Sequence, residues 1–348
     1  MLPDPVMLRI KDEFLNYAGL GASVIEISHR SKEFDFIVED AIQLFRELTS
    51  LPENYTVLFM HGGGRMQFSA VPMNLIARVP SKRGLYVETD VFSTNAIQDA
   101  APHGNIQVIA TSKPSGFDRI PEISPVDQDA AYVHITTNNT VYGTRWNRFP
   151  ETGVVPLVGD STSEILSRVI DYSKFGLVFA GLQKNLGPSG TAIVIVRKDL
   201  MGAALPYTPP LLNYKVVDEG HSMLNTPSTF NIYVARLVLQ WIKDEGGVAE
   251  IERRNNAKAG LLYGCIDASS FYKPVAQREH RSVMNATFKL PSEQVTEEFL
   301  KRAKKERLYA LKGYRSVGGI RASLYNAMPL EGVQALVSFM KEFERTAG

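Results

Sequence analysis

One lysine of the sequence lies between two apolar segments, where a charged side chain needs an explanation. Lys184 follows GLVFAGLQ, which predicts a buried strand, and precedes a Gly-Pro-Ser-Gly turn and a second apolar segment. A lysine among buried strands loses the hydration of its ammonium group, so it is paired with an acid, loses its proton or forms a covalent bond. A loop position with the amine in solvent is the alternative for an isolated Lys-Asn-Leu-Gly segment. The surrounding motifs must decide between these.

A glycine-rich segment with a second possible role follows the apolar stretch YTVLFM. HGGGRMQF places three glycines and Arg65 at the start of a pattern with helical period. Glycines let backbone N–H groups approach an anion, and a helix N-terminus favours negative charge, so a phosphate is the natural ligand. The segment fits neither the Walker pattern nor G-x-G-x-x-G, which argues against a nucleotide. A plain glycine turn with a solvated arginine is the alternative.

An aspartate completes the candidate site at the end of another predicted strand. Asp160 ends VVPLVGD, directly before STSEILSRV, and its alternative role is the cap of a helix. Ligands of a parallel sheet bind beyond the carboxyl ends of its strands. A strand-end lysine, a strand-end aspartate and a phosphate turn together match pyridoxal phosphate: the lysine bonds to it covalently, the aspartate keeps the pyridine nitrogen protonated and the turn binds its phosphate.

The composition is that of an ordinary globular protein and excludes several functional classes. The 348 residues, 44% apolar and 22% charged, leave room for two domains. Lys plus Arg (38) and Asp plus Glu (37) nearly balance, so neither nucleic acid nor an anionic membrane is an expected partner. The single Cys265 and the absence of a His-Glu-x-x-His motif argue against a disulfide or a metal site. Without a signal-peptide pattern or an apolar run near ~18 residues, a cytoplasmic location is expected.

Alternating strand and helix patterns predict the α/β fold that would position these residues. Predicted strands are 55–60, 84–90, 106–111, 131–137, 154–160, 176–181 and 191–199, and helical patterns cover 34–51, 67–79, 94–102 and 161–172. This alternation predicts a mostly parallel central sheet flanked by helices.

Beyond a long helical stretch at 228–247, the pattern predicts a second, smaller α+β domain. Strands at 282–290 and 318–325, a charged helix at 296–308 and a closing helix belong to it. We therefore predict a large domain of residues 1–249 and a small domain of residues 250–348. The N-terminal residues are expected to pack with the small domain.

Beyond these individual residues, the sequence resembles the phosphoserine aminotransferase family, class V aminotransferases with the fold type I architecture of pyridoxal-phosphate enzymes. The resemblance runs nearly end to end and is carried by long motifs, which are GASVIEISHRSKEF (21–34), VLFMHGGGRMQFSAVPMNL (57–75), NNTVYGT (138–144), AGLQKNLGPSGTAIVIVRKDL (180–200), MLNTPSTFNIY (223–233), GGVAEIERRN (246–255) and GGIRASLYNAMPLEGV (318–333).

The resemblance implies a role for each cofactor-binding residue. Lys184 is implied as the lysine bonded to the cofactor and Asp160 as the partner of the pyridine nitrogen. Thr140 and Gln183 are implied to bond the phosphate and the ring oxygen, in either order. The remaining implied contacts are Gly64 and Arg65 against the phosphate, Phe92 stacked on the ring, and Asn225 and Thr226 reaching the phosphate held by the other subunit of a homodimer.

The same resemblance implies which residues bind substrate. Arg321 is implied to take the α-carboxylate, while His29 and Arg30 from the partner subunit take the second anion. Tyr314 and Arg315 stand where the family has a His-Arg pair, so a neutral phenol replaces an imidazole. Phe92 likewise replaces a tryptophan, which keeps a face for stacking but loses area. The sequence starts at Met1-Leu2-Pro3, without the Asn-Phe-x-x-Gly-Pro segment that precedes Leu-Pro in the family.

The implied activity is reversible amino transfer between glutamate and 3-phosphohydroxypyruvate, a step of serine biosynthesis. The phosphorylated substrate of pyridoxine biosynthesis, 3-hydroxy-2-oxo-4-phosphobutanoate, stays open as a second acceptor. Two alternatives also stay open: a class V aminotransferase of the alanine- or serine-glyoxylate type, and a pyridoxal-phosphate-binding homologue without turnover.

Overall fold

The computed structural model describes residues 1–315 and 317–347. The helices are α1 Asp4–Glu13, α2 Lys32–Thr49, α3 Gly63–Leu75, α4 Val91–Ala100, α5 Tyr214–Glu219, α6 Thr229–Asp244, α7 Gly247–Asp267, α8 Glu293–Lys305 and α9 Leu330–Ala347. The strands are β1 Tyr55–His61, β2 Arg83–Glu88, β3 Asn105–Thr111, β4 Tyr132–Thr136, β5 Asn138–Asn139, β6 Thr144–Arg145, β7 Leu157–Asp160, β8 Leu177–Gly181, β9 Thr191–Arg197, β10 Lys273–Pro274, β11 Asn285–Lys289 and β12 Ile320–Ser323. No helix in this described part is long and apolar enough to cross a membrane.

The central sheet is mostly parallel, as the alternating sequence pattern predicts. Its strand order is β1-β9-β8-β7-β4-β2-β3, and β9 alone runs antiparallel to both of its neighbours. In this register Thr136 of β4 lies beside Asp160, and Asp160 lies beside Phe179 of β8. The carboxyl ends of three neighbouring strands therefore meet where the aspartate is, as expected for a parallel sheet.

Both faces of this sheet are covered, which explains why its strands are apolar throughout. Along β9, Ile193 and Ile195 join a core shared with helices α2 and α6. The alternate residues Val194 and Val196 join a second core with helices α3 and α5. Side chains of a strand point alternately to its two faces, so a strand buried on both sides reads as a continuous apolar run.

The helix predicted at residues 161–172 is wrong. The segment forms turns, and only Tyr172–Lys174 is helical, as a short 3₁₀ turn. Leu166 adopts a left-handed conformation (φ 55°), which interrupts the helical pattern. The carbonyl groups of Ile165, Leu166 and Ser167 accept hydrogen bonds from side-chain amides instead of N–H groups four residues on; the donors are Asn185, Asn326 and Asn255. Side chains remote in sequence thus replace helical hydrogen bonds, which a local pattern cannot reveal.

The C-terminal region has its own small sheet and core. Strands β10, β11 and β12 pair antiparallel in that order. A third apolar cluster runs from Ala259 to Phe343, whereas the cluster on the α2 side of the large sheet extends to Ile251. The separation of the cores falls within α7 and supports the predicted division at residues 249 and 250, which stays a prediction.

The N-terminal residues contact both regions. Val6 and Ile10 of α1 belong to the core shared with α2 and α6. Met1 lies on a cavity that Arg321 and Leu324 of the small domain also line. Pro3, Asp4 and Pro5 also line a cavity with residues of the C-terminal region, among them Asn326. The predicted packing of the N-terminal residues against a small domain stays a prediction.

Candidate active site

A cavity of about 130 Å³ lies at the carboxyl ends of β4, β7 and β8. It brings together the predicted cofactor residues that act within one chain, which are Gly64, Arg65, Phe92, Thr140, Asp160, Gln183 and Lys184. These residues come from five separate segments of the sequence, so the sheet and its loops assemble the site.

The side chain of Lys184 is half-buried, and its amine faces this cavity. Its Nζ donates a hydrogen bond of 2.5 Å to Thr140 Oγ1 and lies 5.4 Å from the centre of the Phe92 ring. The segment behind it is fixed because Leu182 and Leu186 are fully buried. The amine is thus presented by an anchored turn, and the solvated-loop alternative does not describe it.

Asp160 is the last residue of β7 and is 5% exposed. Its Oδ1 accepts a hydrogen bond of 2.9 Å from the backbone N–H of Thr162, so it caps a turn rather than a helix. Burial raises the pKa of this carboxyl, while the hydrogen bonds from Thr162 and the nearby charge of Lys184 oppose that rise. A buried carboxylate therefore borders the cavity, and a cationic ring nitrogen is a suitable partner for it.

The glycine turn supplies a surface that side chains would obstruct. Gly62 and Gly63 have positive φ values of 85° and 61°, which turn the chain from β1 into α3. A Cβ atom on Gly64 would lie 2.8 Å from Thr162 Oγ1 and 3.4 Å from the backbone nitrogen of Gly181. The first N–H groups of α3 have no partner within the helix, so the turn forms a close-fitting anion site.

Arg65 is engaged by an acid of its own chain. Its guanidinium forms a two-point ion pair with Asp99, with Nε 2.6 Å from Oδ2 and Nη2 3.0 Å from Oδ1. The side chain is also 57% exposed. An anion in the cavity would have to compete with Asp99 for the guanidinium, whereas the backbone N–H of Arg65 needs no such exchange.

These residues fit pyridoxal phosphate. Gly64 leaves room for a phosphate, Asp160 offers a carboxylate and Lys184 offers an amine within one cavity. Thr136 adds a hydroxyl that is buried, lines the cavity and has no hydrogen-bond partner among the described residues. A polar atom in that state indicates a ligand group or water beside it.

Comparison with known proteins identifies the family. The class V aminotransferase model matches residues 1–336. The phosphoserine aminotransferase of Bacillus cereus is 48% identical over 346 residues, which cover 99% of this chain and 96% of the relative.

The chain belongs to the phosphoserine aminotransferase family within class V. Solved members have the same fold. The phosphoserine aminotransferase of Bacillus circulans subsp. alkalophilus has 41% identity and a TM-score of 0.97, covering 100% of this chain and 97% of its own. The pyridoxal-phosphate-bound enzyme of Trichomonas vaginalis has 34% identity and a TM-score of 0.93, covering 98% and 97%. The family and fold predicted from the sequence are confirmed.

The aminotransferase chain does not bring the other predicted residues to the cavity around Lys184. His29 is half-buried, and those fully at the surface are Arg30, Asn225, Thr226, Tyr314 and Arg315. Asn225 Oδ1 lies 3.3 Å from Nε2 of His61, the residue that precedes the glycine turn. The roles of these residues in the aminotransferase thus stay predictions.

Arg321 lies in the C-terminal sheet, outside the cavity around Lys184. It lies on β12 opposite Thr287, whose hydroxyl donates a 2.7 Å hydrogen bond to the carbonyl of Tyr142, two residues from Thr140. Its Nε is buried and has no hydrogen-bond partner among the described residues. Arg321 lines a separate cavity of about 600 Å³. A half-buried arginine with an unused Nε–H can donate hydrogen bonds to a carboxylate.

Several cavity residues were missed by the sequence analysis: Phe68, Thr136, Asn138, Thr162 and Ser163. All but Phe68 lie at the carboxyl end of β4 or β7 or within about three residues of it, so the rule that selected Asp160 would also have found them. A buried acid near the site, Asp90, was missed too. It caps α4 through Oδ1, its Oδ2 has no partner among the described residues, and burial raises its pKa to about 6.

Proposed function

We propose that the protein transfers an amino group reversibly between glutamate and 3-phosphohydroxypyruvate, giving 2-oxoglutarate and 3-phosphoserine. The observation that carries this proposal is the assembly of Lys184, Asp160 and the Gly64 turn around one cavity. The relatives that cover the whole chain are phosphoserine aminotransferases, so the activity matches their names. The glyoxylate-type alternative has less support. A role in serine biosynthesis follows.

The cofactor is pyridoxal phosphate, which supplies an aldehyde that bonds to amines and a ring that accepts electrons from the substrate's α-carbon. Lys184 Nζ would take the proton from that α-carbon and deliver it to the former aldehyde carbon, so that one amine serves as base and then as acid. The Asp160 carboxylate holds a proton on the pyridine nitrogen by its charge.

The remaining cavity residues orient the cofactor in this proposal. The backbone N–H groups at Gly64 and Arg65 bind the phosphate. Thr140 and Gln183 donate hydrogen bonds to the cofactor, and Phe92 packs its face against the ring. The Thr140 hydroxyl also holds the Lys184 amine at 2.5 Å, which keeps the amine inside the cavity.

Substrate recognition is proposed to rest on arginines, because both amino donors carry two anionic groups. The planar guanidinium binds carboxylate and phosphate groups through two parallel hydrogen bonds. Arg321 is proposed to bind the α-carboxylate. His29, Arg30, Tyr314 and Arg315 are proposed to bind the side-chain carboxylate of glutamate or the phosphate of phosphoserine.

The proposal includes a homodimer in which each subunit completes the other's site. His29 and Arg30 lie near exposed apolar residues, Leu20 at 48% and Ile25 at 51% exposure. Asn225 likewise follows an exposed apolar residue, Leu224, which is 42% exposed. Apolar side chains around functional segments at the surface are typical of a protein interface. Arg30, Asn225 and Thr226 would then reach the partner's cavity rather than their own.

Two measurements on the purified protein test the function. Glutamate added alone should abolish the visible absorption of the bound aldehyde, because the amino group moves to the cofactor. An unchanged spectrum would indicate the homologue without turnover. The specificity constants for 3-phosphohydroxypyruvate, glyoxylate and pyruvate as acceptors should then rank the phosphorylated acceptor first. A preference for glyoxylate would establish the glyoxylate-type alternative instead.

A further inference from the structure

The loop that follows β12 is held by a buried lysine of α7. Lys258 is 2% exposed, and its Nζ donates hydrogen bonds to the carbonyl groups of Leu324 at 3.1 Å and Tyr325 at 2.9 Å. The carbonyl of Asn326 lies 3.5 Å from the same atom. Burial lowers the pKa of Lys258 to about 8. This ammonium group therefore uses its three donors on successive backbone carbonyls and fixes where the strand carrying Arg321 ends.

Asn326 connects this loop to the segment that carries Lys184. Its backbone N–H donates a 3.2 Å hydrogen bond to Oδ1 of Asn185, the residue directly after the lysine. Its Nδ2 donates a 3.0 Å bond to the carbonyl of Leu166, and its Oδ1 accepts a 2.9 Å bond from Asn255. Asn326 thus bonds to Asn185 and Leu166 of the predicted large domain and to Asn255 of its own predicted domain, so it links the two domains at their contact.

The same asparagines fix the turn that follows Asp160. Asn185, Asn326 and Asn255 donate to three successive carbonyl groups of residues 165–167, at 3.0, 3.0 and 2.9 Å. One hydrogen-bond network therefore joins three backbone segments: the one next to Lys184, the one after Asp160 and the one after Arg321. Its three asparagines do not line the cofactor cavity.

We propose that Asn326 is a positioning residue. Its hydrogen bonds to Asn185 and Leu166 fix the position of the strand that carries Arg321 relative to Lys184. This inference rests on the proposed function, in which Arg321 holds the α-carboxylate while Lys184 takes the proton from the adjacent carbon. These two groups belong to different domains, so the reacting distance depends on the contact between the domains. A small misplacement of a reacting group lowers the rate of proton transfer strongly.

The matched control is Asn74, an equally buried asparagine that is remote from the domain contact. It is 2% exposed, donates to the carbonyl groups of Ala70 and Leu212, and accepts a bond from the backbone N–H of Tyr214. Asn326→Ala removes two side-chain hydrogen bonds of a buried amide, whereas Asn74→Ala removes three. Asn74→Ala should therefore lose at least as much stability, so a larger effect of Asn326→Ala on exchange or catalysis reports on position rather than on burial.

Hydrogen exchange of the cofactor-loaded protein supplies the first test. Asn326→Ala should speed amide exchange in residues 161–168, 182–188 and 320–326 together, because the three segments share the network. Asn74→Ala should leave all three unchanged. Exchange that rises only at residues 320–326 would overturn the proposal. This readout needs no substrate, so it judges the network even if the parent protein does not accept glutamate, a result that would refute the proposed function alone.

Kinetics supply the second test. Asn326→Ala should keep the visible absorption of the bound cofactor, while kcat/KM for glutamate falls by about ten-fold or more and the deuterium isotope effect with α-deuterated glutamate increases. Asn326→Asp keeps the oxygen that accepts the hydrogen bond from Asn255, and its backbone N–H still donates to Asn185. Its kcat/KM should therefore lie between that of the parent and that of Asn326→Ala. A kcat/KM of the folded Asn326→Ala protein within about two-fold of the parent, or an equal loss in Asn74→Ala, would overturn the proposal.

Discussion

Lys184 and Thr140 are joined by a 2.5 Å hydrogen bond from the amine to the hydroxyl, although they come from different strand ends. Thr140 follows the short β5 strand, and the adjoining β5–β6 hairpin also contacts β11 through the bond between Thr287 and Tyr142. The amine of Lys184 is thus held by a hairpin that packs on the C-terminal sheet. The amine proposed to be catalytic and the contact between the two predicted domains are therefore structurally linked.

Replacing Lys184 should abolish transamination without unfolding the chain. A half-buried side chain that ends in a cavity contributes little packing, whereas among the described residues no second lysine lines this cavity to carry the α-proton. We expect Lys184→Ala to lower kcat by about 10³-fold or more, with a near-unchanged circular dichroism spectrum and melting temperature. The exposed Lys198 provides a control, Lys198→Ala, which should keep full activity. Turnover of Lys184→Ala near the parent level would remove the lysine from the mechanism.

Gly64→Ala should weaken cofactor binding. The added Cβ would meet Thr162 Oγ1 at 2.8 Å and narrow the site of the phosphate, a strain of about 1–3 kcal/mol. That range corresponds to roughly five- to 140-fold in the dissociation constant of pyridoxal phosphate, measured by equilibrium dialysis. Gly260→Ala is the control, because a Cβ at this helical position meets nothing within 4 Å. Equal affinity of Gly64→Ala and the parent would argue against a phosphate at this turn.

The sequence predicts the strands and the strand-end residues of the site well, because runs of β-branched residues mark strands wherever both faces are buried. It fails at residues 161–172, where amides from Asn185, Asn255 and Asn326 replace helical bonds over long sequence distances. The pairing of Arg65 with Asp99 was equally invisible, since it depends on how α3 packs on α4. The exposed Arg30 could not be placed at all, because its proposed site belongs to another subunit.

His134 should make stability depend on acid pH. The side chain is buried, stacks on Tyr86 at 4.8 Å, and neither ring nitrogen has a partner among the described residues. Burial lowers its pKa from 6.5 to about 3. Below about pH 6.5 the imidazole is protonated in the unfolded chain, whereas in the folded chain it stays neutral down to about pH 3. The free energy of unfolding therefore falls by roughly 1.4 kcal/mol for each pH unit between these two values.

His134→Phe isolates this contribution, because it keeps a ring against Tyr86 and removes the titration. The free energy of unfolding, measured with urea at one protein concentration, should fall less between pH 7 and pH 5 in the variant than in the parent. His221→Asn, at an exposed position with positive φ that asparagine tolerates, should retain the loss of the parent. An identical pH dependence of His134→Phe and the parent would show that the buried imidazole does not set it.

Mixing two inactive variants tests whether active sites are shared between subunits. Lys184→Ala lacks the amine in its own cavity, and Arg30→Ala lacks the arginine proposed to reach the partner's cavity. A hybrid dimer of these subunits contains one site with both residues intact, so a mixture that exchanges subunits should recover part of the parent's activity. A mixture of Lys184→Ala with Asp160→Asn is the control and should stay inactive, because both changes then affect the subunit's own cavity. No recovery despite demonstrated exchange would place Arg30 in its own subunit's site.

Tyr314→His tests how the protein recognises a phosphate. In the parent, Arg30 and Arg315 are proposed to supply charge to the phosphate, while the exposed Tyr314 would supply only a neutral hydroxyl. An imidazole adds a positive charge below its ordinary pKa of about 6.5, and phosphosubstrates are dianions near neutral pH. The KM for 3-phosphohydroxypyruvate should therefore fall in the variant, and the decrease should be larger at pH 6 than at pH 8. Tyr207→His, at an exposed site where the phenol contacts His103, should leave the KM unchanged at both pH 6 and pH 8. If the variant gains nothing at pH 6, or if Arg315→Ala does not change the specificity constant for the phosphosubstrate, residues 314 and 315 do not face the phosphate.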